Sequence, residues 1–235
     1  WISVFHSISA FCNAGMDVIG ENSMCNYATN PVIMSVTSAL IILGGIGYIV
    51  WWDVLSMLKS IKVHKQRCFR ILSLHSKIAL SSTMILLVGG MISFFLLEYN
   101  NPLTIGSFTL VDKMQAAAFQ SVTTRTAGFV SIPQENLTNA SSILSLLLMF
   151  IGGSPVGTAG GIKTVTIAVL IISAYATIRN KEETEIFDRR ISKQAINKSV
   201  AVVCMSFFIM FISTVLLAAV TDASALDIAY ETVSA

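Results

Sequence analysis

One six-residue phrase occurs three times in this chain of 235 residues, and it restricts the fold more than any other feature. Phe5-His6-Ser7-Ile8-Ser9-Ala10 returns as Phe119-Gln120-Ser121-Val122-Thr123-Thr124 and again as Tyr230-Glu231-Thr232-Val233-Ser234-Ala235. The pattern is aromatic, polar, hydroxyl, β-branched, hydroxyl, small, and the copies start 114 and 111 residues apart. A small glycine-bearing tetrapeptide follows each of the first two copies: Asn13-Ala14-Gly15-Met16, then Thr126-Ala127-Gly128-Phe129. A module of roughly 110 residues is therefore repeated, and the chain carries part of an array.

The module is built for lipid. Hydrophobic residues make up 54% of the chain and charged residues 12%, where a soluble domain carries about 25% charged. Ile33–Trp52, Ile78–Leu97 and Ser199–Thr221 contain no Asp, Glu, Lys or Arg, and each reaches the ~20 apolar residues that a spanning helix needs. The segment 137–178 carries one charge, Lys163, and is too long for a single simple span. Basic residues gather in two connections. Lys59, Lys62, Lys65, Arg67, Arg70 and Lys77 fall in one; Arg179, Lys181, Arg189, Arg190, Lys193 and Lys198 fall in the other. The positive-inside rule places both in the cytoplasm, and the alternate connections, 17–30 and 98–136, outside. Basic runs beside spans report orientation, so nucleic acid is not an expected partner. Cys12, Cys25, Cys68 and Cys204 have no metal-type spacing.

These assignments define the order of segments. A short helix over 2–12 leads into the first tetrapeptide, an outer loop, and an outside-to-inside helix over about 31–58. The next unit runs back out over about 73–98, turns at Asn100-Asn101-Pro102, and enters a short helix over about 112–125. The long segment 137–179 follows, then a helix over about 195–220 and a further short helix from near Asp222. The short helices cannot cross ~30 Å of hydrocarbon. Their flanking spans have outer ends on one side, so each short helix and its tetrapeptide must dip in and return. Non-helical backbone at membrane depth survives only when buried in protein or lining a water-filled cavity, which points to a pore.

Each half-helix enters from outside and aims its C-terminus, with about half a negative charge from the macrodipole, at the membrane interior. The next four residues can run extended with their carbonyls turned inward. Glycine permits unusual φ/ψ and close approach of an ion. Rings of backbone carbonyls that replace a hydration shell are the working parts of potassium-selective filters. A turn alone would account for one such glycine; Gly15 and Gly128, each after a matching half-helix, share a task. The expected ion-binding residues are Asn13, Ala14, Gly15 and Met16 with Thr126, Ala127, Gly128 and Phe129.

Two further features sit at membrane depth. Gly152-Gly153-Ser154-Pro155-Val156-Gly157-Thr158-Ala159-Gly160-Gly161 holds five glycines and a proline in ten residues, which no regular helix tolerates. It is not a phosphate-binding loop, because Ile162 separates Gly161 from Lys163 and an apolar helix precedes it. It reads either as a kinked span or as an irregular loop under the filter that obstructs the pore and moves to open it. Intramembrane charges are expensive and usually functional. Arg125 immediately precedes its tetrapeptide. It is expected to support the filter from behind, bonding carbonyls or an acid such as Glu231. Lys163 either lines the cytoplasmic vestibule or snorkels to the interface.

FHSISAFCNAGM (5–16), GGIGYIVWWD (44–53), FQSVTTRTAGF (119–129) and GGSPVGTAGGIKT (152–164) resemble the Trk/Ktr/HKT superfamily of potassium transporters, nearest to the membrane subunit of bacterial Ktr/Trk systems. The resemblance covers essentially the whole chain. It implies an all-α polytopic membrane protein of repeated span–pore helix–filter–span units around a potassium-channel-like pore. On that pattern 1–60 is the second repeat, with pore helix, filter strand and inner helix; 61–72 is a cytoplasmic connection. Residues 73–180 form the third repeat with a broken inner helix, 181–194 a second cytoplasmic connection, and 195–235 the start of the fourth repeat. The chain is then expected to be a fragment of a longer protein, from within pore helix two to pore helix four. Gly152, Gly153, Ser154, Pro155, Gly157, Thr158, Gly160, Gly161 and Lys163 take the place of the gate loop.

The resulting expectation is uptake of potassium, with sodium as the competing cation, across a bacterial cytoplasmic membrane. No catalytic step is required and no metal beyond the transported cation. The family implies a homodimer of full-length subunits on a cytoplasmic nucleotide-binding ring. The rival reading is a secondary transporter of another solute using re-entrant hairpins. That class favours inverted repeats, whereas two spans per repeat keep successive copies in the same orientation here. A membrane-embedded enzyme would need a buried nucleophile–base or metal cluster, and the spans carry none.

Overall fold

The computed structural model describes residues 1–20, 22–60, 72–181, 183–187 and 189–235. The expected connection 61–72, with Lys62, Lys65, Arg67 and Arg70, lies outside the described residues except at Leu72. The rest is an all-α membrane protein. In chain order its helices are α1 Ile2–Phe11, α2 Pro31–Gly45, α3 Tyr48–Ser60, α4 Leu74–Glu98, α5 Leu110–Thr123, α6 Asn139–Phe150, α7 Thr164–Ile178, α8 Lys193–Ala218 and α9 Ala225–Ser234. A short antiparallel hairpin pairs Glu185 with Arg190 and Ile186 with Arg189, inside the expected connection 181–194.

Helix starts follow hydroxyl and amide caps. Asn30 accepts from the amides of Val32 and Ile33 ahead of Pro31, so α2 begins with its free donors satisfied. Ser73, Thr138 and Ser192 cap α4, α6 and α8 in the same way. The half-helices α5 and α9 share a stronger signature. Thr109 caps α5 and bonds Asp112; Ser224 caps α9 and bonds Asp227. An acid in the first turn also complements the helix dipole. In these two copies the repeat thus extends upstream of the six-residue phrase to the start of the half-helix.

Among the described residues two helices are long and apolar enough to cross a membrane unaided: α4, with 25 residues, and α8, with 26. At ~1.5 Å per residue they reach beyond the hydrocarbon thickness. α8 buries none of its most apolar stretch, and Phe207, Phe208 and Phe211 stand exposed. An all-round apolar, unburied surface is what lipid accepts. The core is small and central. Ala10, Met24, Met34, Ile41, Phe119, Val122, Ala127 and Phe129 form one buried cluster, so α1, α5 and the second tetrapeptide are packed on α2. Phe94, Ala117 and Leu148 form another, which holds α4, α5 and α6 together.

One expected helix differs. The span read as 31–58 is bent by 101° between α2 and α3. Gly47, at φ +87°, makes the corner, and a side chain there would collide with the carbonyl of Pro155. Hydropathy registers the lipid-compatible run but not its change of direction. The segment 137–179 breaks as its composition requires, ending α6 at Phe150 and resuming α7 at Thr164. Its two broken ends stay side by side: Gly152 N donates to Ile162 O (2.9 Å), and Ile162 N to Phe150 O (3.1 Å). The intervening residues form a lateral excursion, after which the chain resumes close to where it left.

At the end of α4, Glu98 is fully buried (0% exposed). Its carboxylate accepts from Asn101 Nδ2 (2.7 Å), Thr104 Oγ1 (2.6 Å), Thr138 N (2.9 Å) and Thr138 Oγ1 (2.8 Å). One charge therefore ties the end of α4 to the outer turn and to the start of α6. The outer loop 17–30 closes over the second tetrapeptide, with Met24 N donating to Val130 O (2.9 Å).

Candidate functional site: two glycine strands above a docked loop

The two tetrapeptides adopt one conformation. Asn13 and Gly15 have φ of +50° and +66°; Thr126 and Gly128 have +69° and +84°. Alternate residues are left-handed in both, and the residues between are not. Such alternation gathers amides on one side of the strand and carbonyls on the other. The amides turn back to the half-helices: Ala14 N donates to Ser9 O (2.9 Å), and Ala127 N to Thr123 O (3.0 Å). The carbonyls of Asn13, Ala14, Gly15, Thr126, Ala127 and Gly128 accept no hydrogen bond from any described residue.

The strands lie against one another. A Cβ placed on Gly15 would stand 2.7 Å from the Ala127 carbonyl oxygen and 2.9 Å from the Gly128 Cα. Only glycine allows this approach, and the positive φ favours it again. Asn13, Ala14, Gly15, Thr126, Ala127 and Gly128 all line one open cavity of about 1150 Å³. Its other walls are the ends of the broken helix at Met149, Phe150 and Gly160–Ile162, the C-terminal residues of α9, and one face of α8. On α8 that face is Ser206, Ile209, Met210, Ser213 and Leu217, at helical spacing. Met16 and Phe129, expected with the ion-binding residues, do not line the cavity. Their carbonyls already accept hydroxyl hydrogen bonds, Met16 from Ser9 and Phe129 from Thr123. The Phe129 side chain is buried, with its ring 6.2 Å from that of His6, so the first phrase packs on the second strand.

The loop 152–163 sits beside both strands and is bonded to each. Asn13 Nδ2 donates to Thr158 Oγ1 (2.7 Å), and Thr158 Oγ1 donates to Phe11 O (3.0 Å). Gly160 N donates to Thr126 Oγ1 (3.0 Å). Asn13 and Thr126 open their respective tetrapeptides, so equivalent positions reach the same loop. Its other side docks into the corner between α2 and α3: Ser154 N bonds Gly45 O (2.9 Å), Thr158 N bonds Gly44 O (3.2 Å), and Tyr48 N bonds Val156 O (3.4 Å). The glycines permit that fit, since a Cβ on Gly44 would overlap the Phe11 carbonyl and one on Gly152 the Gly160 carbonyl. Gly44, Gly45 and Gly47 are site residues that sequence reasoning quoted only as part of a motif. Three glycines within four residues of an apolar run were the available signal.

Arg125 is buried (7% exposed), and its Nη2 donates to Gly152 O (3.0 Å). The expected partners were carbonyls or an acid such as Glu231. The contact is a carbonyl, and it belongs to the loop; no ion pair with Glu231 occurs among the described residues. Glu231 instead borders the cavity. Lys163 bends back so that Nζ donates to Ala159 O (2.6 Å), which ties the loop's return to its own stem. Pro155 and Gly157 stand in the docking face, beside Ser154 and Val156. Behind the second strand, Gln134 Oε1 accepts from Gln120 Nε2 (2.8 Å) and from the Tyr230 hydroxyl (2.9 Å), so the second and third phrases meet on one side chain.

Comparison with known proteins agrees with this architecture. The family model described as TrkH, cation transport protein, matches residues 1–235. Among curated proteins, the Ktr system potassium uptake protein B of Bacillus subtilis is 42% identical over 233 residues, covering 99% of this chain and 50% of that protein. The potassium/sodium uptake protein NtpJ of Enterococcus hirae is 42% identical over 196 residues, covering 83% of this chain and 41% of its own length. The chain thus spans about half the length of the curated relatives it matches. Among solved structures, the potassium transporter TrkH from Vibrio parahaemolyticus superposes with a TM-score of 0.79 at 18% identity, over 99% of this chain and 49% of that one.

Proposed function

Because this chain belongs to the TrkH family of cation transport proteins, we propose that the two glycine strands are part of a potassium filter and that the loop 152–163 is its gate. The protein takes up monovalent cations through a pore, with potassium as cargo and sodium as competitor. The observation that carries this reading is the set of six residues, three on each strand, that line a common cavity and whose carbonyls find no donor among the described residues. Carbonyl dipoles left unpaired at membrane depth are costly unless something else approaches them. A cation that sheds its water is the partner that fits.

The half-helix macrodipoles add negative potential where the ion arrives. Arg125 acts from behind, on the loop rather than on the ion. The loop is irregular and glycine-rich, and hydrogen bonds rather than a packed helix keep it in place, so a modest free energy releases it. No chemical step enters, and the protein is a transporter rather than an enzyme. The working unit is a full-length homodimer in a bacterial cytoplasmic membrane, set on a cytoplasmic nucleotide-binding ring.

The test is rubidium uptake by the full-length protein in proteoliposomes against protein-free vesicles. Uptake inhibited by potassium more strongly than by sodium supports the reading. Uptake no faster than in empty vesicles, from correctly folded protein, refutes it.

A further inference from the structure

The first two copies of the phrase make the same long-range hydrogen bond. At the fifth position of the phrase, Ser9 Oγ donates to Met16 O at 2.6 Å, and Thr123 Oγ1 donates to Phe129 O at 2.6 Å. The acceptor in each case is the residue directly after the glycine. The chain between donor and acceptor differs in length, since the residues are seven apart in the first copy and six in the second. The contact is thus kept although the intervening backbone is not. Nor is it the usual choice for a hydroxyl on a helix, which bonds the carbonyl one turn back. Ser7 does that with Ser3 O, and Thr124 does it with Gln120 O. Both donors belong to buried residues, Ser9 at 4% exposure and Thr123 at 5%, although Thr123 also borders the cavity.

We propose that Ser9 and Thr123 are positioning residues for ion selectivity, resting on the pore reading above. Each hydroxyl draws the carbonyl after the glycine out of the conduit and closes its hairpin. Each strand is then left with three free carbonyls, held at fixed spacing between the half-helix end and this buckle. Without the hydroxyl, the Phe129 carbonyl is a buried acceptor lacking a partner, and the carbonyl of Met16, a residue 60% exposed, loses its protein donor. The nearest remedy is to rotate toward the ion. That adds a mobile ligand, loosens the spacing, and lets the smaller sodium ion find a full shell.

The experiment uses full-length protein in proteoliposomes, with rubidium uptake measured against rising sodium or potassium. Thr123→Val keeps the shape and deletes the donor, while Thr123→Ser keeps the donor. Ser9→Ala and Ser9→Thr form the matching pair. The expected result is a loss of potassium-over-sodium preference by about fivefold in Thr123→Val and in Ser9→Ala, with the preference retained in Thr123→Ser and Ser9→Thr. Unchanged preference in a folded Thr123→Val protein overturns the proposal and leaves the pore reading standing. Equal loss in Thr123→Ser also overturns it, because packing rather than the hydroxyl would then be at work. If Thr123→Val does not fold, Ser9→Ala decides by the same criterion. Wild-type protein without rubidium uptake overturns the pore reading and this proposal together.

Discussion

Thr158 is where the docked loop can be loosened without substituting a residue of either glycine strand. Its hydroxyl donates to Phe11 O (3.0 Å) and accepts from Asn13 Nδ2 (2.7 Å), so one oxygen joins the loop to the end of α1 and to the first strand. Thr158→Val keeps the β-branched shape and the backbone bond from Thr158 N to Gly44 O (3.2 Å), and removes only those two hydroxyl bonds. A neutral hydrogen bond contributes about 0.5–1.5 kcal/mol net. Both bonds lie on exposed groups, where water competes, so the low end applies and the loss is about 1 kcal/mol in all. That favours the released loop by about fivefold. Where the docked loop obstructs the conduit and is seldom released, flux follows the released fraction. Rubidium flux per reconstituted protein is therefore expected to rise about fivefold. Thr177→Val is the control, since its hydroxyl bonds only Ser173 O on α7. Unchanged or lower flux from a folded Thr158→Val protein would refute the view that this hydroxyl holds an obstructing loop.

Three other outcomes follow from the same geometry. Gly15→Ala forces a Cβ to 2.7 Å from the Ala127 carbonyl at φ +66°, adding about 1–2 kcal/mol of left-handed strain to an overlap with rigid backbone. Rubidium flux should be abolished, with at most a partial fall in melting temperature. Arg125→Gln removes a charge-assisted bond to Gly152 O from a buried site; it should cost about 1.5–3 kcal/mol, read as a lower melting temperature, together with weaker potassium preference. Glu98→Ala leaves the side-chain and backbone donors of Asn101, Thr104 and Thr138 facing a cavity. It should destabilise the protein by about 3 kcal/mol or more without altering the potassium-over-sodium preference of the protein that does fold.

What could be read in the sequence depended on whether the cause was local. The half-helices and their tetrapeptides were legible because the phrase, the glycine and the lack of spanning length all lie within about fifteen residues of each other. The break of 137–179 was legible because composition alone forbids a helix across 152–161. The 101° corner after Gly45 was not. An apolar run with three glycines is compatible with a straight helix, and what bends it is the loop from Ser154 to Thr158, more than a hundred residues away. Arg125 shows the same limit. Its cost at membrane depth marked it as important, while the choice between a carbonyl and Glu231 rested on which backbone arrived beside it. Met16 and Phe129 were counted with the ion-binding residues by adjacency. The competing fact was the fifth-position hydroxyl, visible in both copies, whose acceptor only the folded hairpin identifies.

The two glycine strands and the loop are not separable parts. Asn13 and Thr126 hold matching places in the repeat, both at positive φ, and each spends its side chain on the loop, one through Thr158 and the other through the Gly160 amide. For asparagine this conformation is common; for a β-branched threonine at φ +69° it is an outlier that the surroundings must enforce. The Gly160 amide on one side and the bonds of Ala127 N and Gly128 N to Thr123 O on the other bracket that residue. Any displacement of the loop away from the strands therefore breaks a bond to each strand, together with the Arg125–Gly152 contact that sits one residue upstream of the second. The converse holds by reciprocity: whatever reshapes the strands changes the free energy of loop release by the same amount. An occupied conduit and an empty one should then differ in how tightly the loop is held.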